Sequence, residues 1–300
     1  MADPRHSPPT AEDNRQGIFA TLAAMTMFIL NDSLVKLAGA DYPPGQLMVV
    51  RGVFASLFML AFVAFSGARG SIGDAFRPRV LVRGVLEALS AMTFVTALTR
   101  MPIADVTAIL QASPILITVF CAALGLERVG PGRWAAVLVG FVGVLLIVKP
   151  GSGSFRTDAL LALLCAAIVA ARDIYTRTIP AGIPNSAVAL TTAVTVVFGG
   201  AALGFSDWTP LRTEPTLKLF FAAIFVALGN VMIVAAYRRA EASVVSPFRY
   251  SVVIFAGAIG FVVFGEVPDL QAVAGTILIV ASGLYTLRSE RARRQESADT

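Results

Sequence analysis

Long apolar runs alternate with short polar breaks along nearly the whole chain. Each run approaches the ~20 residues an α-helix needs to cross a hydrocarbon layer about 30 Å thick. The runs cover 17–38, 45–66, 79–99, 102–124, 132–149, 157–178, 184–205, 217–237, 241–264 and 269–287. Breaks such as "DYPPG", "RVGPGR", "KPGSGS" and "DWTPLRTEP" supply the Pro and Gly that end helices. Because the breaks are short, successive helices must run antiparallel. The pattern therefore predicts an all-α membrane protein with ten transmembrane helices. A polar tail over 1–16 precedes them and a basic tail over 289–300 follows.

Composition agrees with that reading and removes the soluble one. Hydrophobic residues make up 56% of the 300-residue chain and charged residues only 14%, against roughly 25% charged in soluble domains. Too few polar faces remain to wet a surface. The net charge of +5 does not point to nucleic acid, because Lys and Arg fall in short clusters between apolar runs with no basic, aromatic-rich face. Lys and Arg collect in cytoplasmic loops. With both termini inside, sixteen of the 24 lie inside and six outside, while Arg51 and Arg249 fall within spans. Both termini are thus expected in the cytoplasm, and the first span, which lacks a cleavage-site pattern, is expected to be retained. Cys121 and Cys165 lie inside apolar runs without metal-ligand spacing, and the only histidine, His6, lies in the polar tail. No metal site or cofactor is expected.

The chain also repeats itself. Setting Glu127 on Glu266, an offset of 139, places "ALTRM" on "AYRRA"; an offset of 141 places "NDSLVK" on "RDIYTR" and Asp32 on Asp173. The repeats span 17–150 and 151–288. Five spans per repeat is odd, so the second half enters the membrane upside down relative to the first, an inverted-repeat plan found in secondary transporters.

Two segments strengthen this. "ILQASPILITVFCAALGLERVGPGRWAAVLVGFVGVLLIVKPG" and "SVVSPFRYSVVIFAGAIGFVVFGEVPDLQAVAGTILIVASGLYTLR" each run from small residues through a span to "LGLE" or "FGEVPD", then into a Gly/Ala-rich helix. Across essentially its whole length the chain resembles the drug/metabolite transporter superfamily built from paired EamA domains. The resemblance implies a central cavity between the two repeats, reached alternately from each side, with the last span of each repeat acting as scaffold. It also implies export of amino acids and related metabolites, or uptake of cofactors such as S-adenosylmethionine or riboflavin. The halves differ in one respect. Pro114 stands thirteen residues before Glu127, whereas Val253 takes that place before Glu266 and Pro247 lies earlier. Any bends in the fourth and ninth spans should differ in position.

Charges inside spans are costly and face a cavity or a partner, so depth selects candidate site residues. At about 1.5 Å per residue, Asp32 lies about 22 Å from the inner edge and Arg51 about 9 Å below the outer edge. An ion pair or shared hydrogen-bond network between them is expected in the outer third, with Asn31 and Ser33 nearby. Either it gates the outer side or contacts a charge on the substrate, or it locks two helices permanently. Lys36, one turn further out, is expected to snorkel to the interface. By the repeat, Asp173 belongs in the inner third, with Thr191 and Thr192 in the place of a partner. Glu87 and Arg249 each lie about 12 Å from the cytoplasmic side and are expected to pair, with Arg83 as a competing partner. In the functional version Arg249 holds a substrate carboxylate, while Tyr250, Gln111 and Asn230 donate or accept hydrogen bonds beside Ser246 and Pro247. Otherwise Glu87 and Arg249 simply cross-link the repeats. Glu127 and Glu266 are expected to cap helix ends or fix loops.

No Walker, HExxH or GxSxG pattern occurs. An intramembrane enzyme using Asp32 and Glu87 would need carboxylates closer than their depth difference of about 10 Å allows. The expected function is a secondary carrier in the bacterial inner membrane, exporting a small polar or zwitterionic metabolite, most simply an amino acid. Its partners are a small-molecule substrate and the lipid bilayer, with Asp32, Asp173 and Glu87 as candidate proton carriers.

Overall fold

The computed structural model describes residues 10–65, 71–126, 129–149, 157–180 and 182–296. Its helices are α1 (Ala11–Ala38), α2 (Pro44–Phe65), α3 (Ser71–Ala75), α4 (Pro78–Arg100), α5 (Ile103–Leu110), α6 (Ser113–Ala123) and α7 (Pro131–Val148). There follow α8 (Thr157–Thr176), α9 (Asn185–Ala202), α10 (Thr213–Arg239), α11 (Ala242–Val245), a 3-10 turn (Ser246–Tyr250), α12 (Ser251–Phe264) and α13 (Leu270–Glu296). Among the described residues nine helical stretches are long and apolar enough to cross a membrane. The expected span 184–205 is represented by α9, whose apolar part, Ser186–Ala202, is shorter.

Helix ends depart from the hydropathy pattern where local chemistry overrides it. The first helix starts at Ala11, inside the expected polar tail, because Thr10 and Asp13 form a capping box. The Thr10 hydroxyl accepts from the Asp13 N–H (3.2 Å) and the Asp13 carboxylate accepts from the Thr10 N–H (2.9 Å). At the other end α13 runs on to Glu296, because "RSERARRQE" is rich in helix formers and holds no Gly or Pro to stop it.

The two prolines bend their spans at different points. A proline ring clashes with the carbonyl four residues upstream, and α5 ends at Leu110, four before Pro114, with α6 resuming at Ser113. Pro247 instead sits within the 3-10 turn that joins α11 to α12. The break therefore falls near the middle of one span and near the start of the other.

Lipid tails are as apolar as leucine, so helices associate through close packing and polar contacts. The principal pairs are α1 with α10, α2 with α9, α4 with α8 and α9, and α7 with α13, with further contacts of α5 with α12, α1 with α12, and α8 with α5 and α6. One core gathers Ile109, Ile115, Val144, Ile147, Ala162 and Ile279; another gathers Tyr42, Leu47, Met48, Leu98, Ile103 and Leu219. Exposed side chains such as Leu138, Phe141, Ile254 and Val262 face outward, as a hydrocarbon solvent permits. Between α7 and α13 the backbones nearly touch. A Cβ at Gly143 would lie 2.6 Å from the Gly275 carbonyl, and one at Gly275 2.5 Å from the Gly143 carbonyl. Substituting Gly143→Ala should therefore lower stability by about 1–3 kcal/mol, read as a drop in the thermal unfolding midpoint of the purified protein. An unchanged midpoint would show that these two helices are not held at this separation.

Candidate functional site

Three polar nodes among the described residues gather the embedded charges Asp32, Glu87 and Lys36. The first joins α1 to α2. An Arg51 Nη donates to Asn31 Oδ1 (3.2 Å), and Asn31 Nδ2 donates to Asp32 Oδ1 (2.8 Å). Asn31 is buried, whereas Asp32 and Arg51 keep partial exposure deep among the helices. The amide thus mediates, turning its oxygen to the guanidinium and its NH2 to the carboxylate. Ser33 spends its hydroxyl on the Ile29 carbonyl (2.7 Å) and stays outside the node.

The second node joins α4, α8 and α9. Both oxygens of Glu87 accept from one Arg172 Nη (2.9 and 3.0 Å), and Arg83, one turn earlier, approaches to 3.3 Å. Arg172 also grips the Asp173 carboxylate through Nη (2.7 Å) and Nε (2.9 Å), and Arg83 donates to the Thr192 hydroxyl (2.6 Å). Two arginines and two acids balance. The side chains of Arg83, Glu87 and Arg172 are 16–21% exposed and that of Asp173 44%, so the Asp173 side of the node is the accessible one.

Here the structure corrects the expected Glu87–Arg249 pair. Glu87 binds Arg172 because α4 packs along α8 and brings their same-side turns together. Arg249 is exposed and lines a surface groove with Tyr237 and Arg238. Tyr250, beside it in the chain, is buried against Gly283, with its hydroxyl unpaired. Asn230 donates to the Val226 carbonyl of its own helix (2.8 Å), and Ser246 meets the Tyr237 hydroxyl (3.3 Å). Gln111 sits at the α5–α6 break, its N–H held by the Thr107 and Ala108 carbonyls. Asn230 and Ser246 thus hydrogen-bond elsewhere, and Arg249 faces the groove, so none of the three shares a cluster with Glu87.

The third node was missed because Lys36 looked free to snorkel. Its ammonium instead turns inward to Glu266 Oε1 (2.6 Å) and the Met101 carbonyl, 5.1 Å from the Phe264 ring centroid. Glu266 Oε2 accepts from the Ile103 N–H (2.9 Å). The turn around Pro102 leaves a carbonyl and an amide without helical partners, and Lys36 and Glu266 satisfy them. The side chains are only 12% and 18% exposed. Glu266 thereby fixes a loop, as expected; its repeat mate Glu127 lies outside the described residues. A further buried acid, Asp105, occupies the first turn of α5 at 3% exposure. Acidic character so close to a helix start is the signal that could have marked it.

A helical membrane protein whose spans carry partly accessible charge clusters of both signs, tied across distant helices, is built like a small-molecule transporter. The chain belongs to the EamA-like transporter family, which it matches over residues 15–149 and 157–288. Among its relatives is the pseudopaline exporter CntI of Pseudomonas aeruginosa, 28% identical over 276 residues, covering 91% of this chain and 96% of that protein. A riboflavin transporter of Rhizobium johnstonii is 32% identical over 249 residues, covering 82% and 81%. A solved crystal structure superposes with a TM-score of 0.60 at 22% identity, covering 93% of this chain and 99% of the other, which supports the fold. The protein is a multi-pass membrane transporter rather than an enzyme.

Breaking the Glu87–Arg172 contact should strand a charge. Glu87→Gln and Arg172→Gln are each expected to cost about 3 kcal/mol. The double variant should lose less than the sum, with a coupling of about 1 kcal/mol or more. Chemical unfolding in detergent measures it, and strict additivity would refute direct pairing.

Proposed function

We propose that the protein is a secondary carrier that moves a small polar or zwitterionic metabolite, most simply an amino acid, out of a bacterial cell across the inner membrane by alternating access. The observation that carries this reading is the pair of deep nodes, Arg51–Asn31–Asp32 and Arg83–Glu87–Arg172–Asp173, which offer guanidinium and carboxylate groups within a few helices of each other. An α-ammonium and an α-carboxylate on one ligand match such a surface. Members of ion pairs that are partly accessible can exchange a protein partner for a substrate partner without leaving a bare charge.

Alternating access rests on two inverted five-helix repeats, and the helix contacts support them. If α1, α2, α4, α5–α6 and α7 correspond to α8, α9, α10, α11–α12 and α13, then α1 on α10 corresponds to α8 on α4, and α1 on α12 to α8 on α5 and α6. The pairs α2–α9, α7–α13 and α5–α12 map onto themselves. Arginine placement supports termini in the cytoplasm. On that orientation the Lys36–Glu266 node lies at the outer end and holds α1, the α4–α5 turn and the loop after α12 together. Outward opening then requires this contact to part.

A second reading, uptake of a cofactor-like metabolite, is favoured by the riboflavin transporter among the relatives. Reconstituted protein distinguishes the two. Preloaded amino acid should drive counterflow of labelled amino acid, and Asp32→Asn and Arg172→Gln should each reduce the initial rate at least tenfold while the protein stays folded. Riboflavin exchange with no exchange of any labelled amino acid would replace the first reading by the second. An imposed proton gradient should accelerate flux if the node acids carry a proton; indifference to it would remove proton coupling and leave facilitated exchange.

A further inference from the structure

A groove opens between α10 and the 3-10 turn, at the end of the bundle where the Glu241 N–H meets Asn14 and Arg239 reaches Gln16. Ile233, Val234, Tyr237 and Arg238 line it from α10, and Arg249 from the turn. No acid is among these five. Arg238 and Arg249 are exposed, and neither has a carboxylate or hydrogen-bond partner among the described residues. Arg51, Arg83 and Arg172, deeper in their helices, each have one.

Depth makes this pair unusual. Arg249 is the fourth residue of the candidate span Ser246–Phe264, about 6 Å inside its edge at about 2 Å per residue of 3-10 turn. Arg238 stands in the last turn of α10. An arginine stem of that length brings its guanidinium to the level of lipid headgroups, where an unpaired cation still loses hydration. The groove has a second character too. Ile233 and Val234 lie about one turn deeper than Arg238, and beyond them an exposed apolar stripe continues along α10 through Val231, Leu228 and Phe221. Phe248 flanks the turn at 37% exposure.

We infer that this groove binds an anionic phospholipid, its phosphodiester between Arg238 and Arg249, and an acyl chain along the α10 stripe. Tyr237, whose hydroxyl already meets Ser246 (3.3 Å), closes the groove and links the lipid site to the start of the bent span. Basic recesses on the cytoplasmic side of helical membrane proteins suit such headgroups. A water-soluble anion would satisfy the arginines but leave the apolar stripe without a counterpart. The site is independent of the transported substrate and of the deep nodes.

Lipid titration of the full chain tests it. Purified protein in detergent is titrated with phosphatidylglycerol or with phosphatidylcholine of the same acyl chains, and bound lipid is counted by native mass spectrometry. Phosphatidylglycerol should bind more tightly, and Arg238→Gln and Arg249→Gln should each weaken it roughly fivefold, equivalent to about 1 kcal/mol per arginine. Arg249→Lys should keep most of the preference. Arg212→Gln, on a side chain paired with Asp41 at the opposite end of α10, should leave it unchanged. Thermal unfolding of each variant separates loss of binding from loss of fold. Equal binding of the two lipids, or a preference that survives the double Arg238→Gln/Arg249→Gln variant, overturns the proposal. So does displacement by soluble glycerol 3-phosphate at concentrations matching the lipid, which would mark a free-anion site.

Discussion

A charge placed among apolar helices must be neutralised by a neighbour, and that requirement organises this molecule. Hydrocarbon gives helices no hydrophobic reason to associate, so packing contacts and polar contacts must hold them. Most of the long-range ion pairs join the first half of the chain to the second. Lys36 meets Glu266, Glu87 meets Arg172, Arg100 meets Asp158, Arg212 meets Asp41, and Lys149 meets Asp269. The deep pairs stand where neither partner could face lipid alone, so each constrains how the halves dock. The pairs at helix ends lie where water competes and hold less firmly.

These contacts divide the molecule into two kinds of interface. Between α7 and α13 the contact is small-residue and close, Gly143 against Gly275, with Ile147 and Ile279 filling the remaining space. Dry packing of that kind has one good arrangement and resists sliding. Around α1, α4 and α8 polar contacts are added to close packing such as Gly17 on Ala240 and Gly199 on Ala88. A buried ion pair adds little net stability over a well-packed apolar pair but is specific in its partners. Such contacts can be exchanged for others of similar energy, which apolar interdigitation cannot do. The proposed alternating access would use this difference, with α7 and α13 as the fixed wall.

How much of this was legible in the sequence follows from what each signal encodes. Hydropathy counts residues along an axis, so the long apolar helices were readable, and Pro114 and Pro247 marked where two of them break. Helix ends at Ala11 and Glu296 were not, because a capping box and a run of helix formers act below the resolution of a hydropathy window. Depth along the membrane was also readable, and it put Asp32, Asn31 and Arg51 at one level. Depth is only one coordinate, however. Glu87 and Arg249 share a level by count but not a direction around the bundle, and Arg172, the neighbour of Asp173 in the chain, occupies the facing position. Lys36 shows the same gap, since only the approach of the Pro102 turn and Glu266 decides that its stem bends inward.

The two deep nodes occupy matching places under the proposed repeat, yet they differ in chemistry. Asn31 and Asp32 correspond to Arg172 and Asp173, and Arg51 to Thr192, at the common offset of 141. In one half an amide stands between a guanidinium and a carboxylate; in the other a guanidinium takes the amide's place and recruits Glu87 from α4. An amide contact is neutral on one side, and its hydrogen bonds to the two charged groups part at about 1.5–3 kcal/mol each. Separating Arg172 from Glu87 instead parts two opposite charges, although Arg172 keeps Asp173 and Glu87 keeps Arg83. On the proposed function, a ligand bearing both an ammonium and a carboxylate would engage Glu87 and Arg172 together, and the node would keep its balance of charge.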